Sequence, residues 1–392
     1  MNKPALHLVL AFVALAVPAA AQDARFHTGN FSWTPVLTLR DAGLDTNVYD
    51  ESSDPKRDQV MVVAPQVEGV LQFGLARLAV SGSADFVYYR QYSAERSINR
   101  RASTRLEVPL SRMSPFVALG YVDSRERQNS EIDVRARHTD RDLTAGVGFQ
   151  LTSRGELELG VRAADSRFRQ GDVFRGVELA TRFDRDARGA AARFRYDVTP
   201  LTTFVVDADA ARDEYVLSPG FDTNHLRVTA GFAFSPDAVL KGRATAGYHK
   251  MEPRGALAFG YQGVTAAVEI GYVLLGRTRI DGRFNRDTTQ SLEAQPYFLQ
   301  TTYGAEVLHN LFGPVDVIGR GSRELMDYPG IAERQLEADT LRLNRYGAAV
   351  AIRAAERVRL TMNYEYAQRL GVTVAGRDFE RTRVYSTVTY GF

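Results

Sequence analysis

The chain's six histidines are His7, His27, His138, His225, His249 and His309. A metal site on one helix face needs two histidines a turn apart, and no His-x-x-x-His pair occurs. A strand-to-helix elbow carrying a nucleophilic serine needs Gly-x-Ser-x-Gly, and a phosphate-cradling loop needs Gly-x-x-x-x-Gly-Lys. Neither pattern is present. Asp50, Glu51, Asp54 and Asp58 gather enough carboxylate to attract a divalent cation, although such acids are ordinary solvated loop residues. From these residues we expect no enzyme, no cofactor and no metal site.

The remaining chemistry lies in arginines and acids, and their spacing is two. Arg357, Arg359, Thr361, Asn363 and Glu365 alternate with Val358, Leu360, Met362, Tyr364 and Tyr366. Successive side chains of a β-strand point to opposite faces, so this stretch has one wet face and one oily face. On wet faces of this kind lie Arg162, then Arg193 and Arg195, then Asp207 and Asp209, then Arg243. Arg277, Arg279, Asp281, Arg283, Arg320, Arg357, Arg359 and Glu365 continue the series, and Arg381 and Arg383 end it. Two roles are open to these charges. They can line a water-filled pore, or pair across strands and knit a wall. Bases outnumber acids in the set, which predicts a mild anion preference for a pore. On the oily faces lie Val206, Ala208, Ala210, Val228, Ala230, Phe232, Val268, Ile270, Leu360 and Met362.

The elements that carry these faces are strands. Alternation and turn residues predict about eighteen of them, centred near residues 38, 66, 83, 103, 119, 144, 161, 191, 208, 229, 244, 267, 281, 305, 319, 347, 362 and 386. Their connections alternate between short turns and long polar loops. A soluble sandwich has no reason to keep that rhythm, whereas an outer-membrane barrel has short turns at one end and elaborated loops at the other. The expected fold is all-β: a single transmembrane antiparallel up-and-down β-barrel. The loop 168–183, with Phe174, is long enough to fold inward as a constriction. Tyr89 and Tyr385 are the inward aromatic candidates for stacking on sugars.

Other features agree with export to a membrane. Lys3 precedes an apolar run ended by Pro18, and Ala19-Ala20-Ala21 follows. This is the pattern of a secretory signal peptide over residues 1–21, cleaved before Gln22 to leave a barrel domain over 22–392. No apolar run reaches the 18 residues of a membrane helix. There is no cysteine, hence no disulfide framework. The formal net charge of +2 gives no electrostatic case for nucleic acid. Tyrosine (18) and phenylalanine (21) far outnumber tryptophan (1), a composition suited to interfacial girdles. Val384, Ser386, Val388, Tyr390 and Phe392 share one face of the last strand, and its end at Tyr390 and Phe392 resembles the C-terminal aromatic signature that closes outer-membrane barrels and that their assembly machinery reads.

The segment from Pro35 to Tyr49, with Asp45 and Asn47 after a strand, resembles the first strand of the putative β-barrel porin 2 family. Leu201-Thr202-Thr203 after a Pro turn and the terminal Tyr390-Gly391-Phe392 are similar to it too. The resemblance implies a barrel in the outer membrane of a Gram-negative bacterium, in contact with lipid and inserted by the barrel-assembly machinery. It implies a porin-like channel for hydrophilic solutes, and, in some similar barrels, an exit pore working beside polysaccharide-export proteins. A non-conducting barrel acting through its external loops is the alternative.

Overall fold

The computed structural model describes residues 26–255, 260–292, 297–328, 340–371 and 377–391. Among them run eighteen long strands: β1 Phe31–Asp45, β2 Asp58–Phe73, β3 Ala76–Tyr89, β4 Ser97–Glu107, β5 Met113–Glu126 and β6 Ala136–Gln150. The series continues with β7 Gly155–Phe168, β8 Arg185–Thr199, β9 Thr202–Tyr215, β10 Thr223–Phe234, β11 Leu240–Pro253 and β12 Tyr261–Leu274. It ends with β13 Thr278–Gln290, β14 Tyr297–Phe312, β15 Val315–Asp327, β16 Thr340–Ala355, β17 Val358–Leu370 and β18 Phe379–Gly391. Each of the eighteen expected strand centres falls inside its strand. The expected signal peptide, residues 1–21, and Phe392 lie outside the described residues.

Every strand pairs antiparallel with its neighbours in sequence, and β18 pairs with β1 from Val36↔Gly391 to Asp45↔Arg383. The sheet therefore closes into a barrel. Closure removes the unpaired edge, which is the condition for a sheet to sit in lipid. A leading segment, Phe26–Thr28, folds back on β1, where Phe26 stacks on Trp33 at 4.9 Å.

The alternation read from the sequence sets the faces. Met362 and Tyr364 on β17 are 53% and 49% exposed, whereas Asn363 and Glu365, which alternate with them, are each 8% exposed. Directly opposed residues share a face, so the register carries this assignment from strand to strand. The apolar face is outside and the charged face is inside.

The connections keep the short-long rhythm. Short turns such as 74–75, 200–201 and 313–314 close hairpins at one end, where Gly74 and Gly313 take the left-handed φ values of +59° and +49°. A Cβ there would be strained, which is why glycine occupies both. At the other end run the long connections, including 46–57, 127–135 and 169–184. A bulge in β1 places Asp41 at φ +57° and turns its carboxylate toward Arg383 on β18, at 2.6 Å. The closing seam thus carries an ion pair as well as a ladder.

Candidate functional site

The inner wall is a lattice of cross-strand ion pairs. Arg193 on β8 and Arg243 on β11 converge on Asp207 of β9, with Arg193 at 2.5 Å. Arg195 pairs with Glu156 at 3.0 Å and Arg162 with Asp142 at 3.8 Å, while Arg279 pairs along its own strand with Asp281 at 2.8 Å. Arg359 reaches Asp316 at 3.2 Å and Arg383 reaches Glu365 at 3.8 Å. Arg320 donates to the Asn363 side chain at 2.6 Å, and Asp209 faces Arg227 across the β9–β10 ladder. Arg283 stands opposite Glu269. Two expected wall residues sit elsewhere: Arg277 and Arg357 lie in the turns before β13 and β17. The alternating pattern runs on through these tight turns, so spacing alone does not mark where a strand begins.

Most guanidiniums on this face have a carboxylate beside them. Acids that stand beside these arginines, among them Glu156, Glu158 and Glu324 and also Asp142 and Asp316, offset the basic excess inferred from the sequence set.

One loop crosses the lumen. The connection 127–135 leaves β5 and returns to β6, yet side chains from Asn129 to Asp133 bond to the far wall. Asn129 Nδ2 donates to Gln290 O at 2.8 Å, and Ser130 Oγ to Glu324 Oε2 at 2.9 Å. Glu131 Oε1 accepts from Ser291 Oγ at 2.8 Å. Arg369 on β17 clamps Asp133 through two bonds of 2.6 and 2.7 Å and also donates to Ser130 O at 2.9 Å. Glu324 is on β15, nine strands from β6 in a ring of eighteen, so it is diametrically opposite.

The loop's own geometry prepares it for this crossing. Asn129 Oδ1 accepts from the backbone N–H groups of Glu131 and Ile132, an Asx turn that reverses the chain. Arg127 ties the base of the loop by donating to Asp133 O at 2.7 Å and Val48 O at 2.8 Å, and pairs with Asp50 at 3.2 Å. Glu131 and Arg369, 1% and 2% exposed, are buried charges that stay buried because each is hydrogen-bonded.

The loop 169–184 folds inward beside it. It holds a two-residue hairpin (Val173–Phe174 with Val177–Glu178) and a one-turn helix, Leu179–Phe183. Leu179, Ala180 and Phe183 form a small apolar core with Ile132, Ala136 and Phe168, and Val134, Phe174 and Leu292 pack against it. The sequence expectation gave the constriction to 168–183. The segment that reaches the opposite wall is 127–135, and 169–184 braces it. The available signal was Ile132 and Val134, two apolar residues inside an otherwise polar connection. Burial pushes the Arg182 guanidinium of the brace below its ordinary range, and its plane covers the Phe221 ring at 3.4 Å.

The other sequence candidates are committed to structure. Asp50 pairs with Arg127 and Arg381, Asp54 with Lys56, and Asp58 caps the backbone N–H groups of Gln59, Gln91 and Tyr92. Three of the four acids are thus engaged by the protein's own groups. Tyr89 and Tyr385 do face inward, but both are buried. Arg135 lies 5.1 Å from the Tyr89 ring centre and Arg383 lies 4.6 Å from that of Tyr385. A stacked guanidinium leaves little ring face for a sugar. Among the described residues, no group of three or more His, Cys, Asp or Glu side chains is arranged to hold a metal ion.

Solved structures share this architecture. Pseudomonas aeruginosa OccK2 (OpdF) in complex with glucuronate is similar with a TM-score of 0.54 at 9% identity, over 92% of this chain and 98% of that one. P. aeruginosa OpdK with vanillate gives 0.52 at 10% identity over 92% and 98%. P. aeruginosa OpdO gives 0.52 at 10% identity over 92% and 97%. At such identities the likeness bears on the fold, that of outer-membrane barrels. No curated protein sequence matches the chain. The sequence profile of the Putative beta-barrel porin 2 family matches residues 23–392. That match spans the whole barrel, and the chain belongs to this family.

Proposed function

We propose that this barrel is an outer-membrane channel that passes small hydrophilic solutes around a braced crossing loop, in a Gram-negative bacterium. The observation that carries the reading is the loop 127–135, held to the wall opposite its own strands by Arg369, Glu324 and Ser291. A barrel of 16–18 strands leaves an aqueous interior that side chains do not fill. A polar loop fixed across that interior narrows it at one level without filling its length. The charged inner wall keeps the passage wet, and the ion-pair lattice keeps its shape.

In this reading the long loops face the exterior, residues 1–21 direct export, and the strand ending in Tyr390 and Phe392 presents the chain to the assembly machinery. Glucuronate and vanillate, bound by the two barrels above, are small carboxylates, and they set the size of solute to try first. An exit pore for an exopolysaccharide needs a continuous path for linked sugars. The crossing loop and the covered rings of Tyr89 and Tyr385 speak for small solutes instead. A barrel that only binds through its external loops would conduct no ions.

The test is ion conductance of the refolded protein in planar bilayers. Stable ohmic steps, reduced by small sugars or carboxylates, are expected. Silence from verifiably folded barrel would overturn the channel reading.

A further inference from the structure

Two histidines that stand 24 residues apart meet on the inner face of β10 and β11. The hairpin register brings them together: His225 faces Met251, and His249 faces Arg227. His225 Nδ1 lies 3.3 Å from His249 Nε2, with the ring planes 25° apart. The other nitrogen of each ring faces a carboxylate. His225 Nε2 is 3.3 Å from Asp213 Oδ2 and 2.9 Å from Thr223 Oγ1. His249 Nδ1 is 3.1 Å from Asp287 Oδ1 and 3.5 Å from Thr288 Oγ1. Arg185 and Arg227 pair with the same two carboxylates, at 3.5 and 2.7 Å, which keeps both ionised as acceptors.

Thr223 Oγ1, the nearest partner of His225 Nε2, can donate to it, and each ring then donates one N–H along the chain toward Asp287. The other tautomer opens a place for a cation. In it each neutral imidazole donates its one N–H outward to a carboxylate, and two bare lone pairs face one another across 3.3 Å. They repel unless a cation lies between them. A proton there puts a positive charge on the pair, whereas a metal ion leaves both rings neutral. A carboxylate behind the far nitrogen is also the arrangement that orients metal-binding imidazoles and raises their basicity. Metal–nitrogen bonds of about 2.0–2.1 Å in a tetrahedron set the two nitrogens about 3.3–3.4 Å apart.

A third donor stands on the same face. Met251, opposite His225 and two residues beyond His249, is 6% exposed. A thioether is a soft ligand that, with imidazole, favours copper(I). His249 is almost wholly covered, but the His225 side chain keeps 19% exposure, which gives an ion access from the lumen.

We propose that His225 and His249, with Met251 beside them, bind one soft late-transition-metal ion, copper(I), on the inner wall. The site stands whether or not the barrel conducts. It is tested by titrating the full refolded barrel in detergent with copper(I) against a chromophoric chelator, and with zinc(II) in parallel. One copper(I) per barrel is expected, lost in the double variant His225→Gln/His249→Gln. Asp213→Asn and Asp287→Asn should each weaken binding by about 10–100-fold, as loss of the group behind a metal-bound imidazole does elsewhere. Met251→Leu should weaken copper(I) and spare zinc(II). Folding of each variant is checked by its heat-dependent shift in gel mobility. Equal copper uptake by wild type and double variant, or zinc uptake without copper, would overturn the assignment. Should the double variant not fold, the imidazole resonances of the wild type decide. Shifts confined to His225 and His249 support the site, and shifts spread over His27, His138 and His309 refute it.

Discussion

Arg369 and Asp133 stand 236 residues apart and meet as a two-bond ion pair at 2.6 and 2.7 Å. The arginine belongs to β17 and the aspartate to the loop after β5, so the pair joins a loop to a wall it does not spring from. Arg369 is 2% exposed and cannot shed its charge. Breaking a buried pair by removing one partner costs about 3–5 kcal/mol, because the other charge is left uncompensated.

Asp133→Asn should therefore loosen the crossing loop without opening the barrel. The expected outcome is a larger and noisier single-channel conductance with unchanged β-sheet content by circular dichroism. Conductance identical to wild type would show that the pair does not hold the loop in the lumen.

The brace should yield separately from the clamp. Ile132, wholly buried, links the crossing loop to Leu179 and Phe183. Ile132→Ala should cost about 2–5 kcal/mol of local stability. Limited trypsin digestion near Arg127 and Arg135 should then proceed faster than in wild type, while the barrel strands stay intact. Digestion at the wild-type rate would place Ile132 outside any packed brace.

The two faces of β17 can be told apart by substitution. Met362 points to the apolar exterior and Thr361 to the inner wall. Met362→Arg should destabilise folding into lipid vesicles by about 2–4 kcal/mol if it lies near the midplane. Thr361→Arg should cost much less. Equal losses from the two would reverse the face assignment.

The absence of native cysteine makes single-cysteine labelling clean. In membranes, a cysteine at Arg320 should react with a small hydrophilic thiol reagent, and one at Val350 should not. The opposite order would mean that the charged face is not the wet one.

The two faces were legible in the sequence because alternation is a local property of adjacent residues. The long-range destinations were not. Nothing next to Asn129 or Asp133 in the chain announces that their partners are Gln290 and Arg369, since a loop's landing place depends on the curvature of the closed sheet. The same reason explains His225 and His249. Their 24-residue spacing looks scattered until the turn at 235–239 fixes the register that sets them side by side. Arg277 and Arg357 failed differently: their alternation continues past the strand ends, and strand termini are the least determined part of such a pattern. Arg193 and Asp207 were identified as wall residues, but only the structure shows that Arg243 shares the same carboxylate from two strands away.

The most direct test of the account is single-channel recording of the wild-type barrel beside a variant lacking residues 128–134, both verified as folded. A conducting wild type and a variant with clearly larger ohmic steps would show an aqueous lumen narrowed by the crossing loop. Equal conductance from the two would contradict a loop that crosses the passage, and silence from both would contradict the passage itself.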